Sequence, residues 1–401
     1  MTLTPNSPGH PVLAWNGPDG PQSVRWRSGN GTAPPRRVVA VDDTTPADTA
    51  FRLASEGTGM VWQGDFQNAR QLLIALARRI DRRPSKERAR DKVRNRAGAA
   101  ANQPAAAPAT PADAFHRHRM TQAQRAHTLG MLLIPFDPGH VIPLRRAPDV
   151  AAACEEAYGP SDEPYVTSLR ELLGLIGAHE WRRNGVEVPA LAGRIHPHYG
   201  VFAPIRGEYV ELVARAPLPE GGVPLAFDIG TGTGVLAALL ARRGVAQVVA
   251  TDRDPRALTC AKDNVARLGL AQTVQVMEAD LFPPGRAPLV VCNPPWLPAR
   301  PSSALEHAVY DPDSRMLRGF LSGLAAHLTP GGEGWLVLSD LAEHLGLRRR
   351  EALESMFEAG GLVVAGRTDT RPMHPKAADR RDPLHAARAA EQVSLWRLRA
   401  R

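Results

Sequence analysis

Residues 290–299 read VVCNPPWLPA, an apolar strand that runs into Asn293, Pro294, Pro295 and Trp296. Proline fixes φ, brings no amide hydrogen and ends a sheet ladder, so the carbonyl oxygens beside it face outward. Two acceptors then stand together, the side-chain oxygen of Asn293 and the backbone oxygen of Pro294. Each can take one N–H of a planar NH2 group, whose lone pair is otherwise delocalised into a carbonyl or an aromatic ring. Held in that way, the nitrogen turns its lone pair toward an electrophile. The gain is positional, and the same acceptors favour the positive charge that develops on nitrogen. Trp296 offers a flat face for stacking, worth about 1–3 kcal/mol when the plane is a base.

Upstream stands DIGTGTG, residues 228–234. Gly230, Gly232 and Gly234 let the backbone turn tightly and come close to a ligand. A dinucleotide fingerprint would want glycine at 235, where this chain has Val235, so nicotinamide and flavin cofactors are disfavoured. Asp252 closes QVVATD and can accept hydrogen bonds from both ribose hydroxyls of a nucleoside. Asp280 closes VQVMEAD, where an adenine can lie against Ala279 and Leu281. Asp228 is placed to meet a positive group, and Thr231 and Arg253 complete the candidate set.

The elements that must carry these residues follow from periodicity. From Leu225 onward, short apolar strands alternate with amphipathic helices, through LAFDIG, AQVVATD, TVQVMEAD, LVVCNPPW, EGWLVLSD, LVVAGR and QVSLWRLRAR. That pattern predicts an α/β fold with a doubly wound, mostly parallel seven-stranded sheet covered on both faces. Ligands of such sheets bind outside the carboxyl ends of the strands, where all the candidates fall.

The order of Asp228, glycine loop, Asp252, Asp280 and NPPW at four successive strand ends resembles the class I S-adenosylmethionine-dependent methyltransferases of the small methyltransferase domain type, over roughly residues 195–401. The resemblance implies a Rossmann-like catalytic domain that uses S-adenosylmethionine. By it, DIGTGTG holds the methionine part, Asp252 the ribose and ADL the adenine. Asn293, Pro294, Pro295 and Trp296 match the [N/D]PP[Y/F/W] element of enzymes that methylate planar nitrogens, among them release-factor glutamine, ribosomal RNA guanine-N2 and adenine-N6 methyltransferases.

The chain has 401 residues, 43% hydrophobic and 22% charged, and shows no apolar run long enough to span a membrane. Its start lacks the basic and apolar regions of a secretory signal, so a cytoplasmic location is expected. Cys154, Cys260 and Cys292 form no CxxC pair, and the histidines of FHRHR and IHPHY have no metal partner at ligand spacing. No metal site is expected. The net charge of +8 is unevenly spread, with 21 basic and 12 acidic residues in 1–150 against 28 and 29 in 151–401.

Three parts are expected. Residues 1–49, rich in Pro, Gly, Ser, Thr and Asn, read as an irregular arm. Residues 50–190 read as an auxiliary, α/β or mainly helical domain. Within it a helix starts after Asp65, is apolar at Ala69, Leu72, Leu73, Leu76 and Ile80, and stops at Pro84. The basic run Arg78 to Arg96 and the Ala/Pro linker interrupt that domain at about 84–114. Residues 191–401 read as the catalytic domain.

The acceptor stays open between classes. The excess positive charge and the lead-in GVFAP, which resembles the GVFS of guanine-N2 enzymes, suit a nucleic acid base in structured RNA such as ribosomal RNA. The same stretch also resembles the Pro-Arg lead-in of the glutamine enzymes, which implies a glutamine of a translation protein. A small molecule, and an RNA-binding module with a decayed cofactor site, are further readings. The polar stretch 371–391 could form a lid, with Arg380 and Arg381 available to phosphate.

Overall fold

The structure is a computed structural model that describes residues 10–17, 20–98, 110–301, 305–373 and 379–401, with the backbone alone described for 83–98 and 305. Two compact units share the chain: Met1–Pro108 with Arg119–His179, and Ala109–His118 with Glu180–Arg401.

Six strands build the sheet of the first unit: β1 (Val12–Gly17), β2 (Gly20–Trp26), β3 (Arg37–Val41), β4 (Thr58–Trp62), β5 (Leu132–Phe136) and β6 (Tyr165–Ser168), in the spatial order β1-β2-β6-β5-β4-β3. The expectation of an irregular arm over 1–49 fails here, because residues 12–41 supply three of the six strands. Leu13, Trp15 and Trp26 are buried with Val61, Leu133 and Val166, so a period of two runs through VLAW and SVRW. The turn-forming residues around these short strands hide that period in the composition.

The helix Phe66–Gly98 also departs from expectation, since it continues through Pro84 instead of ending there. A proline removes one donor, and on a helix flank the freed carbonyl can turn to water. Its start is as expected: Oδ1 of Asp65 accepts the N–H of Gln67 at 2.9 Å, and Ala69, Leu72, Leu73 and Leu76 are buried. The helix carries the basic run, whose side chains beyond Arg82 lie outside the described residues, as does most of the Ala/Pro linker.

The second unit holds a two-stranded ribbon, β7 (Val186–Val188) and β8 (Gly193–Ile195), and the expected seven-stranded sheet. Its strands are β9 (Leu225–Ile229), β10 (Gln247–Asp252), β11 (Val274–Glu278), β12 (Ala287–Cys292), β13 (Leu328–Ser339), β14 (Leu362–Thr370) and β15 (Val393–Ala400). Their spatial order is β11-β10-β9-β12-β13-β15-β14, and β15 runs antiparallel to both its neighbours.

Both faces are covered at the centre of the sheet, which explains why β9 and β12 read as nearly unbroken apolar runs, while the edge strands β11 and β14 are exposed or half-buried over most of their length. On β12, Leu289 and Val291 join one core cluster while Val290 and Cys292 join the other. The first cluster is completed by helices Glu208–Arg215 and Val235–Arg242, the second by Arg315–His327 and Arg350–Ala359. Each buried Val or Leu stabilises by roughly 1.5–3 kcal/mol. Together they fix the ends of β9, β10, β11 and β12 side by side, with the site residues on the loops that follow.

Candidate cofactor and acceptor site

Asp228 sits on β9 with 1% exposure, and its Oδ2 accepts the Thr231 hydroxyl at 2.6 Å and the Ala237 N–H at 3.0 Å. It therefore ties the glycine loop to the start of the helix behind it. Burial pushes its carboxyl up to about 6; the Thr231 and Ala237 hydrogen bonds pull the other way, and nearby Asp252 adds to the rise.

The loop itself is left-handed at Gly230, Gly232 and Gly234. A Cβ on Gly230 would overlap Cε at the tip of Met316, and one on Gly234 would press at 3.3 Å on Ala261. A Cβ on Gly232 would meet nothing within 4 Å, so that glycine borders open space that a ligand can enter. The loop is also pinned by Thr231 N–H, which donates to the Thr251 carbonyl at 2.8 Å.

Asp252 closes β10. Its Oδ2 accepts the Gly232 N–H at 3.0 Å and its Oδ1 the Asp254 N–H at 3.0 Å. Each carboxylate oxygen keeps a lone pair for a further donor. Arg253 beside it is exposed. Ala279 donates its N–H to the Asp252 carbonyl at 3.1 Å, and the Leu281 carbonyl accepts the Thr251 hydroxyl at 2.6 Å. Leu281 has a φ of 79°, an uncommon state for a branched side chain and one held here by that bond. Asp280 between them is exposed and accepts Arg315 Nη2 at 3.0 Å.

After β12 the acceptor candidates follow in order. The indole Nε1–H of Trp296 donates to Oδ1 of Asn293 at 2.9 Å across the two prolines. Pro294 is buried, while Asn293, Pro295 and Trp296 are half-buried. The chain is then held by Leu297, whose N–H donates to Val309 at 3.1 Å and whose carbonyl accepts Asp311 N–H at 2.8 Å. Asp311 in turn accepts Met316 and Leu317 N–H at 3.1 Å each, and its burial raises its pKa. Leu297 also packs in a buried cluster with Phe115, Leu341, Leu345 and Leu384. Leu384 comes from the polar stretch 371–391, whose Arg380 and Arg381 are exposed and whose residues 374–378 lie outside the described set.

The residue to which the sequence assigned no role is Arg206, the arginine of the lead-in that follows GVFAP. Its guanidinium lies 4.9 Å from the centroid of the Trp296 ring, with Nε donating to Glu208 at 2.7 Å and Nη2 to Glu391 at 3.2 Å. Its charge partners are two and 185 positions away, and no local period marks them. Among the described residues no cluster fits a metal ion, and no helix is long and apolar enough to cross a membrane.

Residues 216–367 match the methyltransferase small domain family. The release factor glutamine methyltransferase of Deinococcus radiodurans is 32% identical over 213 residues, which cover 48% of this chain and 73% of that one. The chain belongs to the class I methyltransferases of the small-domain type. A release factor glutamine methyltransferase of Cereibacter sphaeroides is 35% identical over 151 residues, 34% of this chain and 52% of the relative. A ribosomal protein L11 methyltransferase of Pelotomaculum thermopropionicum is 28% identical over 254 residues, 62% of this chain and 72% of the relative. The chain thus spans about half the length of the Cereibacter sphaeroides protein. Class I methyltransferases in general use S-adenosylmethionine, and the open space at Gly232 beside the Asp252 carboxylate is compatible with a hydroxyl-bearing ligand there.

Proposed function

We propose that this chain is an S-adenosylmethionine-dependent N-methyltransferase acting on a planar NH2 nitrogen, with the catalytic machinery in the unit that holds the seven-stranded sheet. The observation that carries the reading is the adjacency of two pairs at neighbouring strand ends: Gly232 with Asp252, and Asn293 with Trp296. The cofactor, when bound, supplies an electrophilic methyl on a sulfonium. Everything else falls to the chain. Asp252 accepts the ribose hydroxyls, the backbone of Gly230 to Gly234 gives room to the methionine part, and Ala279, Asp280 and Leu281 border the adenine. Asp228 braces the loop from beneath. Asn293 Oδ1 and the Pro294 carbonyl each accept one N–H of the acceptor, which aims its lone pair, and Trp296 supports its plane.

For the acceptor, the positive balance of residues 1–150 supports a base in structured RNA. The likeness to release factor glutamine methyltransferases supports a second reading, a glutamine side-chain amide of a translation protein. One experiment separates them. The purified chain is given S-adenosylmethionine with a labelled methyl group and a cell lysate, with Asn293→Ala as control. Label that is removed by RNase supports the base; label that resists RNase and is released by protease supports the amide. If no Asn293-dependent label enters either fraction, the proposed reaction is wrong.

A further inference from the structure

We propose that Arg206 is a positioning residue that acts on Asn293 through the indole of Trp296, a step that rests on the reading above and goes one residue behind it. An asparagine amide can present its oxygen or, turned over, its NH2 group. Only the oxygen can accept an N–H. A donor fixed beside that amide selects the productive orientation, and Trp296 Nε1–H at 2.9 Å from Oδ1 is such a donor. The oxygen has two lone pairs, so one taken by the indole leaves one for the acceptor.

The donor works only if the ring is held. Trp296 is half-buried, and the Arg206 guanidinium lies over its face at 4.9 Å, within cation–π range. Arg206 cannot wander, because Glu208 and Glu391, 4% and 3% exposed, hold its two sides at 2.7 and 3.2 Å. Glu391 is itself fixed by the Ser339 hydroxyl at 2.7 Å, and Ser339 ends β13. The order of support therefore runs from the sheet to Glu391, to Arg206, to the ring, to the amide. The planar guanidinium fork suits two carboxylates and a ring face at once, which a lysine ammonium does not.

The relay also divides the work of Trp296. Arg206 takes one face, so support of the acceptor plane falls to the other, while the indole N–H sets the asparagine. Phenylalanine at 296 would keep the first role and lose the second.

The test uses the full-length chain and the variants Arg206→Gln, Arg206→Lys and Trp296→Phe. In a 15N-labelled sample the indole N–H signal of Trp296, assigned by its loss in Trp296→Phe, should shift and exchange faster with water in Arg206→Gln. An unmoved signal would overturn the proposal, and this readout needs no substrate. In the transfer assay, Arg206→Gln and Trp296→Phe should each lower kcat about 10- to 100-fold, the scale of a misplaced reacting group. Binding of S-adenosylmethionine should stay within about twofold, the split that separates lost alignment from lost binding. Arg206→Lys should recover little. Trp296→Phe leaves Arg206 and both carboxylates in place, so it answers even if Arg206→Gln folds poorly; full activity in Trp296→Phe would sink the relay. If the unaltered chain neither binds S-adenosylmethionine nor transfers label, it is the proposed function that has failed, and the indole signal still decides the relay.

Discussion

The amide of Gly232 donates to Oδ2 of Asp252 at 3.0 Å, which ties the glycine loop after β9 to the acid that closes β10. On the proposed reading the carboxylate has two duties, shaping the loop and meeting the ribose. Asp252→Ala should remove both. A hydrogen bond to a charged group contributes about 1.5–3 kcal/mol, so the Kd for S-adenosylmethionine should rise about 10- to 100-fold. Calorimetric titration checks this, and an unchanged Kd would remove Asp252 from the site.

Two glycines of one loop should respond differently. Gly230→Ala meets a left-handed backbone, while its Cβ overlaps only the flexible tip of Met316, which can swing aside, so it should lose about 1–2 kcal/mol of stability, mostly from the backbone. Gly232→Ala has nothing to strike within 4 Å, so its stability loss should stay near the roughly 1–2 kcal/mol of the backbone alone. Its larger effect should appear in cofactor affinity. Urea unfolding beside titration separates the two outcomes.

Asp228 gives a pH signature of definite sign. Its carboxyl holds a proton up to about 6 when folded, against an ordinary value of 3.8. Between those values the folded chain keeps a proton that the unfolded chain releases. The contribution is thus fully present below about pH 4 and is lost as pH rises through 6, by roughly 3 kcal/mol at most. Asp228→Asn lacks the titration. The stability of the unaltered chain relative to Asp228→Asn should fall from pH 4 to 6.5; a flat difference would show that the burial effect is small.

Glu333 shows the opposite sign. Burial raises its pKa, but hydrogen bonds from Arg397, Trp335 and Arg399 outweigh that and bring it to about 2. Its stabilisation is present above the ordinary value of 4.5 and fades as pH falls toward 2. Glu333→Gln should destabilise by about 2–3 kcal/mol near neutral pH, less than a fully buried pair because the arginines keep some water. Chemical unfolding at pH 7 measures it.

The parts of the site that were legible in the sequence are those whose meaning is local. Gly230, Gly232, Gly234 and Asp252 lie within one strand–loop–helix unit and its neighbour, and β9 and β12 read as apolar runs because both faces are buried. Asn293 to Trp296 were legible because two prolines punctuate a strand. The role of Arg206 was not, since its place in the lead-in says nothing of its partners until Glu391 arrives from 185 positions away. The strands β1 to β3 escaped for another reason. Their alternation is short, and turn residues outweigh it in any window that averages composition. Pro84 misled because the residue type forecasts a stop, whereas the helix continues to Gly98.

The strand β15 lies between β13 and β14, although it follows both in the chain. During synthesis β14 therefore has no neighbour to pair with until β15 has been made, and the carboxylate of Glu391 reaches Arg206 just before that. The cofactor pair Gly232 and Asp252, by contrast, is encoded within twenty residues. On the proposed reading, a nascent chain should thus close the Gly232–Asp252 loop well ahead of the Arg206–Glu391 support of Trp296, and a chain that ends between β14 and β15 should lack that support.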